Sequence, residues 1–175
     1  QDRLKDVTYI KFVSSIRTQK KEPHRIRATL GGNLINYPDD VGTPTADLPL
    51  IKIFINSTIS TDGAKFATAD LSNFYLMTPL KRPEYGRVKL TDIPDEIIEE
   101  YKLREKATAV GWVYFKVVRG MYGLPQSGSN SHDELEERLN KQGYFKSPLV
   151  TALWKHNTFR TQFVLIVDDF GIKYF

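Results

Sequence analysis

Apolar residues in this chain gather into short runs separated by glycine, proline and polar stretches, a pattern that predicts strands with a few amphipathic helices between them. Val7-Thr8-Tyr9-Ile10-Lys11-Phe12-Val13 has strand composition. After the polar stretch Gln19 to Pro23, Arg25-Ile26-Arg27-Ala28-Thr29-Leu30 is a second candidate that stops at Gly31-Gly32-Asn33, and the two together predict a hairpin. Tyr37 to Pro49 holds three prolines, a glycine and Asp39-Asp40 and reads as loop. A helix is expected next, capped by Asp47 or a neighbour, with Leu50, Ile51, Ile53, Phe54 and Ile55 inward, and it should end before the turn pair Asp62-Gly63.

Lys65 to Leu71 looks like a strand entering the core and carrying Asp70 at its end; an aromatic turn, Phe74-Tyr75, and Pro79 follow. Arg87 to Leu90 predicts another strand, Asp95 to Tyr101 a short helix behind Pro94, and Val113 to Val118 a further strand. Gly120 to Gly128 is turn-rich, and Ser131-His132-Asp133-Glu134 fits a capping box opening a helix through Leu135 and Leu139 toward Gly143. Ala152 to His156 and Gln162 to Val167 predict an antiparallel pair, with a return strand through Ile172 and Tyr174. Strands and helices mix without βαβ alternation, so the expected class is α+β, an antiparallel sheet with helices on one face.

Composition narrows this little. The 175 residues are 41% hydrophobic, enough for a sizeable core, and Lys plus Arg exceed Asp plus Glu by 25 − 21 = 4. That balance is compatible with a polyanionic partner and too mild to establish one. The absence of cysteine removes disulfides, thiolate metal sites and a Cys nucleophile together. No apolar run approaches the roughly 18 residues of a membrane span. The sequon Asn56-Ser57-Thr58 reads as chance, because nothing else points to secretion.

Candidate chemistry begins at Asp168-Asp169, two acids inside the apolar run Phe163 to Val167 and Phe170 to Phe175. Burying a carboxylate costs several kcal/mol unless it is compensated, so this pair is either an exposed turn or a metal site. Asp70 ends another apolar strand, and if the two strands adjoin, three carboxylates converge. Hard oxygen donors of this kind suit Mg²⁺, and two such ions roughly 3.5 to 4 Å apart are the apparatus of polymerases and nucleases. A paired-carboxylate glycosidase fits less well, because adjacent acids at one turn cannot flank a sugar.

With these residues in view, the chain resembles the reverse transcriptases of long-terminal-repeat retrotransposons, closest to the Copia type. Ile166-Val167-Asp168-Asp169, Ala69-Asp70-Leu71-Ser72-Asn73-Phe74-Tyr75 with Pro79-Leu80, Gly120 to Gly128, and Arg25-Ile26-Arg27-Ala28-Thr29 carry the resemblance, in order and spacing as well as content. It implies a polymerase palm-like sheet plus a fingers-like β hairpin, with approximately residues 1–60 fingers-like and 61–175 mainly palm. It also implies RNA- and DNA-directed DNA synthesis from dNTP onto a primer 3′-hydroxyl with two Mg²⁺, Mn²⁺ being an alternative. By the same resemblance Asp70 and Asp168 hold both ions, the Leu71 carbonyl adds a ligand, and Asp169 is a third carboxylate. Tyr75, with Phe74 as its rival, excludes a 2′-hydroxyl. Arg25 and Arg27 hold the triphosphate, and Gln126 touches the incoming nucleotide.

The implied partners are an RNA or DNA template–primer and the rest of a pol polyprotein, thumb and RNase H included, with no membrane. The implied location is intracellular, in cytoplasmic particles or the nucleus. The sequence stops at Phe175 with no thumb, so weak processive synthesis is expected. Two other readings stand beside this one: a non-enzymatic retroelement-derived nucleic-acid-binding remnant, and an unrelated metal-dependent phosphotransferase. Asp39-Asp40 lacks apolar flanks and reads as loop, His24, His132 and His156 as structural or surface residues, and Asp95 to Glu100 as a solvated face. Arg17, Lys20 and Lys21 read equally as phosphate contacts or plain surface.

Overall fold

A computed structural model describes residues 6–19 and 21–175 of the chain; the candidate phosphate contact Lys20 lies outside them. In chain order the elements are β1 (Thr8–Ile16), β2 (His24–Leu30), α1 (Leu48–Ile59), β3 (Lys65–Asp70), α2 (Phe74–Met77), β4 (Pro79–Lys89), α3 (Asp95–Glu100), α4 (Leu103–Lys106), β5 (Trp112–Arg119), α5 (Ser127–Lys141), β6 (Tyr144–Lys146), β7 (Leu153–His156), β8 (Gln162–Ile166) and β9 (Asp169–Tyr174). The class is mixed α+β with two sheets. Among the described residues no helix is long and apolar enough to cross a membrane.

The chain forms two compact units that interleave along the sequence, Gln1–Asp40 with Tyr75–Ser127 and Val41–Phe74 with Gly128–Phe175. This differs from a single division near residue 60: α1 belongs to the second unit, and β4 and β5 belong with β1 and β2. The reason is the pairing, because β1 finds a partner in β4, far along the chain.

The first unit holds a four-stranded sheet of order β2-β1-β4-β5. The expected β1–β2 hairpin is antiparallel, with Val13 opposite Arg27 and Ser15 opposite Arg25. Opposed residues share a face, so Lys11, Val13, Arg25 and Arg27 line one side of the ribbon and Phe12, Ile16 and Ile26 the other. Strand β4 runs further than the sequence suggests, through Pro83, because its register with β5 shifts between Pro79 and Glu84 and no ladder hydrogen bond is needed from the proline there. Leu30, Ile35, Leu80, Val117 and Leu124 form the core, with Ile10, Tyr37, Phe115 and Met121 against it.

The second unit holds a five-stranded sheet of order β3-β9-β8-β7-β6, antiparallel throughout. Helices cover both of its faces, not one. Val164 and Ile166 of β8 pack with Phe54, Leu50 and Ile51 of α1. Phe163 and Leu165, of opposite parity, pack with Trp154, Phe170, Ile172 and with Leu135 and Leu139 of α5. The physical cause is visible in β8 itself: four consecutive apolar residues leave no polar face, so both sides must be buried.

Helix α1 starts where expected. Asp47 Oδ1 accepts the Leu50 N–H at 2.9 Å, and Leu48 and Pro49 occupy the first turn. Its inward stripe is narrower than the apolar content suggested, since Ile53 is 67% exposed and Ile55 is exposed too, while Thr58 is buried and donates to the Phe54 carbonyl at 3.0 Å. Helix α5 begins at Ser127, so Ser131 lies inside it and does not cap it.

Candidate active site

The residues singled out in the sequence fall into two sets, one in each compact unit. Asp70, Leu71, Asp168 and Asp169 belong to the second. The register of β3 and β9 puts Asp70 directly opposite Asp169, with Ala69 opposite Phe170 and Thr68 opposite Gly171. Directly opposed side chains point to the same face, about 5 Å apart at Cβ, and like charges there repel. Both acids are exposed, whereas Asp168 is half-buried.

Val167 and Asp168 form the two-residue turn between β8 and β9, with Ile166 opposite Asp169. Val167 has φ 59°, the left-handed region. Glycine is the usual residue for such a turn position, and a β-branched side chain held there stores roughly 1–3 kcal/mol of strain. The tip is latched across the sheet by the Leu71 N–H, which donates to the Asp168 carbonyl at 2.9 Å. The strand end carrying Asp70 and the hairpin tip carrying Asp168 are therefore fixed to each other through backbone. Lys173 lies on the same face of β9 as Asp169, but its Nζ donates to the Ser57 carbonyl, Ser57 Oγ and Thr61 Oγ1 at 2.8–3.0 Å, so its charge is spent on the end of α1.

As a metal site, the opposed Asp70 and Asp169 offer carboxylate oxygens on one face of the sheet, at the end of β3 and the start of β9, hard ligands of the type Mg²⁺ takes one or two at a time, with water and phosphate oxygens completing its shell. Among the described residues no group of three or more His, Asp or Glu side chains is arranged to hold a metal ion. The opposed pair fits a substrate-completed cation and does not form an all-protein cage.

The second set belongs to the first unit. Arg25 and Arg27 lie on one face of β2, Arg25 half-buried and Arg27 exposed. The Arg27 guanidinium carbon lies 4.8 Å from the centroid of the Tyr122 ring. On that same ring Tyr75 makes an edge contact, centroids 5.5 Å apart at 75°. Tyr122 thus joins two expected site residues, a role the sequence did not single out within its glycine-rich motif.

Gln126 is fully buried, and its Nε2 donates to Glu84 Oε1 at 2.8 Å. Glu84 is itself fully buried and paired with Arg82, whose Nε donates to Oε1 at 2.9 Å. Arg82 also reaches the Asn36 carbonyl and lies over the Tyr37 ring. The Gln126 amide is engaged within the protein and not presented at a surface. In the sequence Glu84 shows only as an acid between Pro83 and Tyr85.

The turn bearing Tyr122 is tightly held. Met121 exchanges two hydrogen bonds with Ser127 Oγ, its N–H donating and its carbonyl accepting, both at 2.9 Å. Leu30 N–H donates to the Tyr122 carbonyl at 2.8 Å, and Gly120 N–H to the Thr78 carbonyl at 2.8 Å.

His132 is buried near Glu136, and burial, then the positive charge of Lys146, pull its pKa below the usual imidazole range against the opposing pull of Glu136 and Asp133. His156 Nδ1 accepts the Thr158 and Phe159 N–H groups. No protein-family model, curated protein or solved structure matches this chain.

Proposed function

We propose that the chain carries the palm-like and fingers-like portions of a template-directed DNA polymerase of reverse-transcriptase type. The observation that carries this reading is the opposition of Asp70 and Asp169 on one sheet face, with Asp168 in a strained turn latched to Leu71. Two like charges set opposite each other lower stability unless a cation compensates, and local strain kept at a charged tip is common where geometry serves chemistry.

In this reading Asp70, Asp168 and Asp169 would hold divalent cations jointly with a nucleoside triphosphate. Mg²⁺ bound there would supply Lewis-acid stabilisation of phosphoryl charge and would ease deprotonation of a primer hydroxyl. The chain's own part is positioning. Arg25 and Arg27, on one face of β2, carry guanidinium donors of the kind that bind triphosphate oxygens through charge-assisted hydrogen bonds. The Tyr75 ring stands against the sugar and disfavours a 2′-hydroxyl. Gln126, which the resemblance places at the incoming nucleotide, is fully buried with its Nε2 bonded to Glu84.

Electron paramagnetic resonance of Mn²⁺ tests the reading. Titration of the full chain with Mn²⁺ in the presence of dATP should show bound ion whose affinity falls about tenfold or more in Asp70→Asn. Equal Mn²⁺ binding by the two proteins contradicts it.

A further inference from the structure

We propose that Tyr122 is a positioning residue that couples the triphosphate-binding guanidinium of Arg27 to the sugar-facing ring of Tyr75, so that grip on the phosphates and selection of a deoxyribose are one linked event. This rests on the polymerase reading above and adds to it a residue and a coupling.

The geometry is confined to one compact unit. Arg27 covers the face of the Tyr122 ring, and Tyr75 meets the same ring edge-on. A guanidinium over a ring face and a second ring at its edge are both favourable uses of the aromatic quadrupole. Neither contact uses the phenol hydroxyl. The ring alone is therefore the coupling element.

The backbone supports this role. A side chain on Gly120 would collide with the Tyr75 carbonyl, and one on Gly123, at φ 91°, with the Leu30 carbonyl. Glycines at these two positions let the Tyr122 turn press against both the segment that carries Tyr75 and the end of the strand that carries Arg27. The Leu30–Tyr122 and Gly120–Thr78 backbone hydrogen bonds close the same three segments together. Tyr122 is half-buried, and its ring contacts both Arg27 and Tyr75. Rigid support of this kind fixes functional side chains to within fractions of an ångström.

Residues that act through a shared neighbour are non-additive. An isolated phosphate-binding arginine would weaken deoxyribo- and ribonucleotides equally when removed. Coupled through Tyr122, Arg27 also affects the sugar preference.

The test is retention of Mg²⁺-dATP or Mg²⁺-ATP by the full chain on a primer–template whose primer ends in a dideoxynucleotide, so that no turnover is needed. The proteins compared are wild type, Tyr122→Phe, Tyr122→Leu, Arg27→Gln and the double variant Arg27→Gln with Tyr122→Leu. Tyr122→Phe should keep the dATP-to-ATP preference. Tyr122→Leu should reduce it about tenfold and weaken both nucleotides. Arg27→Gln, an exposed change that leaves the core intact, should also reduce the preference, and the double variant should lose no more than the larger single loss. If Arg27→Gln weakens both nucleotides while leaving their ratio unchanged, the coupling is overturned even if Tyr122→Leu fails to fold. If wild type prefers dATP and folded Tyr122→Leu prefers it equally, it is overturned as well. Wild type that retains neither nucleotide overturns the polymerase reading, and the coupling falls with it.

Discussion

Asp169 is an exposed acid set opposite another acid on the same sheet face, and a neutral residue in its place would remove a repulsion on the order of 1 kcal/mol or less in water-like surroundings. Asp169→Asn should therefore raise the melting temperature of the metal-free protein by roughly 1–2 °C. The same change should shrink the stabilisation gained on adding Mn²⁺ with dATP. Thermal melts with and without the ion check both signs, and a melting temperature that falls in the metal-free protein contradicts the proposed opposition of charge. These acids were legible in the sequence because each is a local feature, a charge at the end of an apolar run. Their partnership was not. Which aspartate of the pair faces Asp70 depends on the β3–β9 register, which joins segments distant in the chain, and it sets Asp169 rather than Asp168 across from Asp70. The Gln126–Glu84 bond is of the same kind: neither residue carries a local sign of the other, and burial of both emerges only when the turn folds onto β4.

At the level of elements, α5 carries a pH dependence. His132 is buried on it, facing Glu136 on its own helix and Lys146 of β6, which is ion-paired with Glu136. Burial and the Lys146 charge lower its pKa, so the folded protein holds it neutral where the unfolded chain, near the ordinary value of about 6.5, takes up a proton. The unfolded state then binds more protons as pH falls below that value, and stability decreases with falling pH until the lowered folded value is reached. Melting temperature should drop more between pH 7.5 and 5.5 in wild type than in His132→Leu. Parallel slopes would contradict this.

Elements were legible in proportion to how local their signals are. The Asp47 cap, the β1–β2 hairpin and the β8–β9 return all follow from neighbouring residues. The start of α5 is hidden in the sequence because Ser131-His132-Asp133-Glu134 has the form of a capping box, while the real first turn is built from Ser127, Gly128 and Ser129, poor helix formers held by the turn before them. Apolar character alone puts Ile53 and Ile55 inward, yet a helix over a sheet buries one stripe, and Thr58 joins it through a hydrogen bond to its own helix.

For the whole molecule, the interleaving of two compact units along one chain means that local reading recovers the class and the strands but not their grouping. The second sheet is covered on both faces because β8 is apolar throughout, a signal present in Phe163-Val164-Leu165-Ile166 but outweighed by the expectation of a one-sided sheet. The carboxylates sit where β3 ends and the β8–β9 hairpin turns, at one end of this doubly covered sheet. The most direct measurement of what they do is single-turnover addition of one deoxynucleotide to an annealed primer–template by the full chain with Mg²⁺. One-nucleotide extension that falls about a hundredfold or more in Asp70→Asn is the expected result. No extension with either Mg²⁺ or Mn²⁺, or extension that persists undiminished in Asp70→Asn, would contradict the assignment.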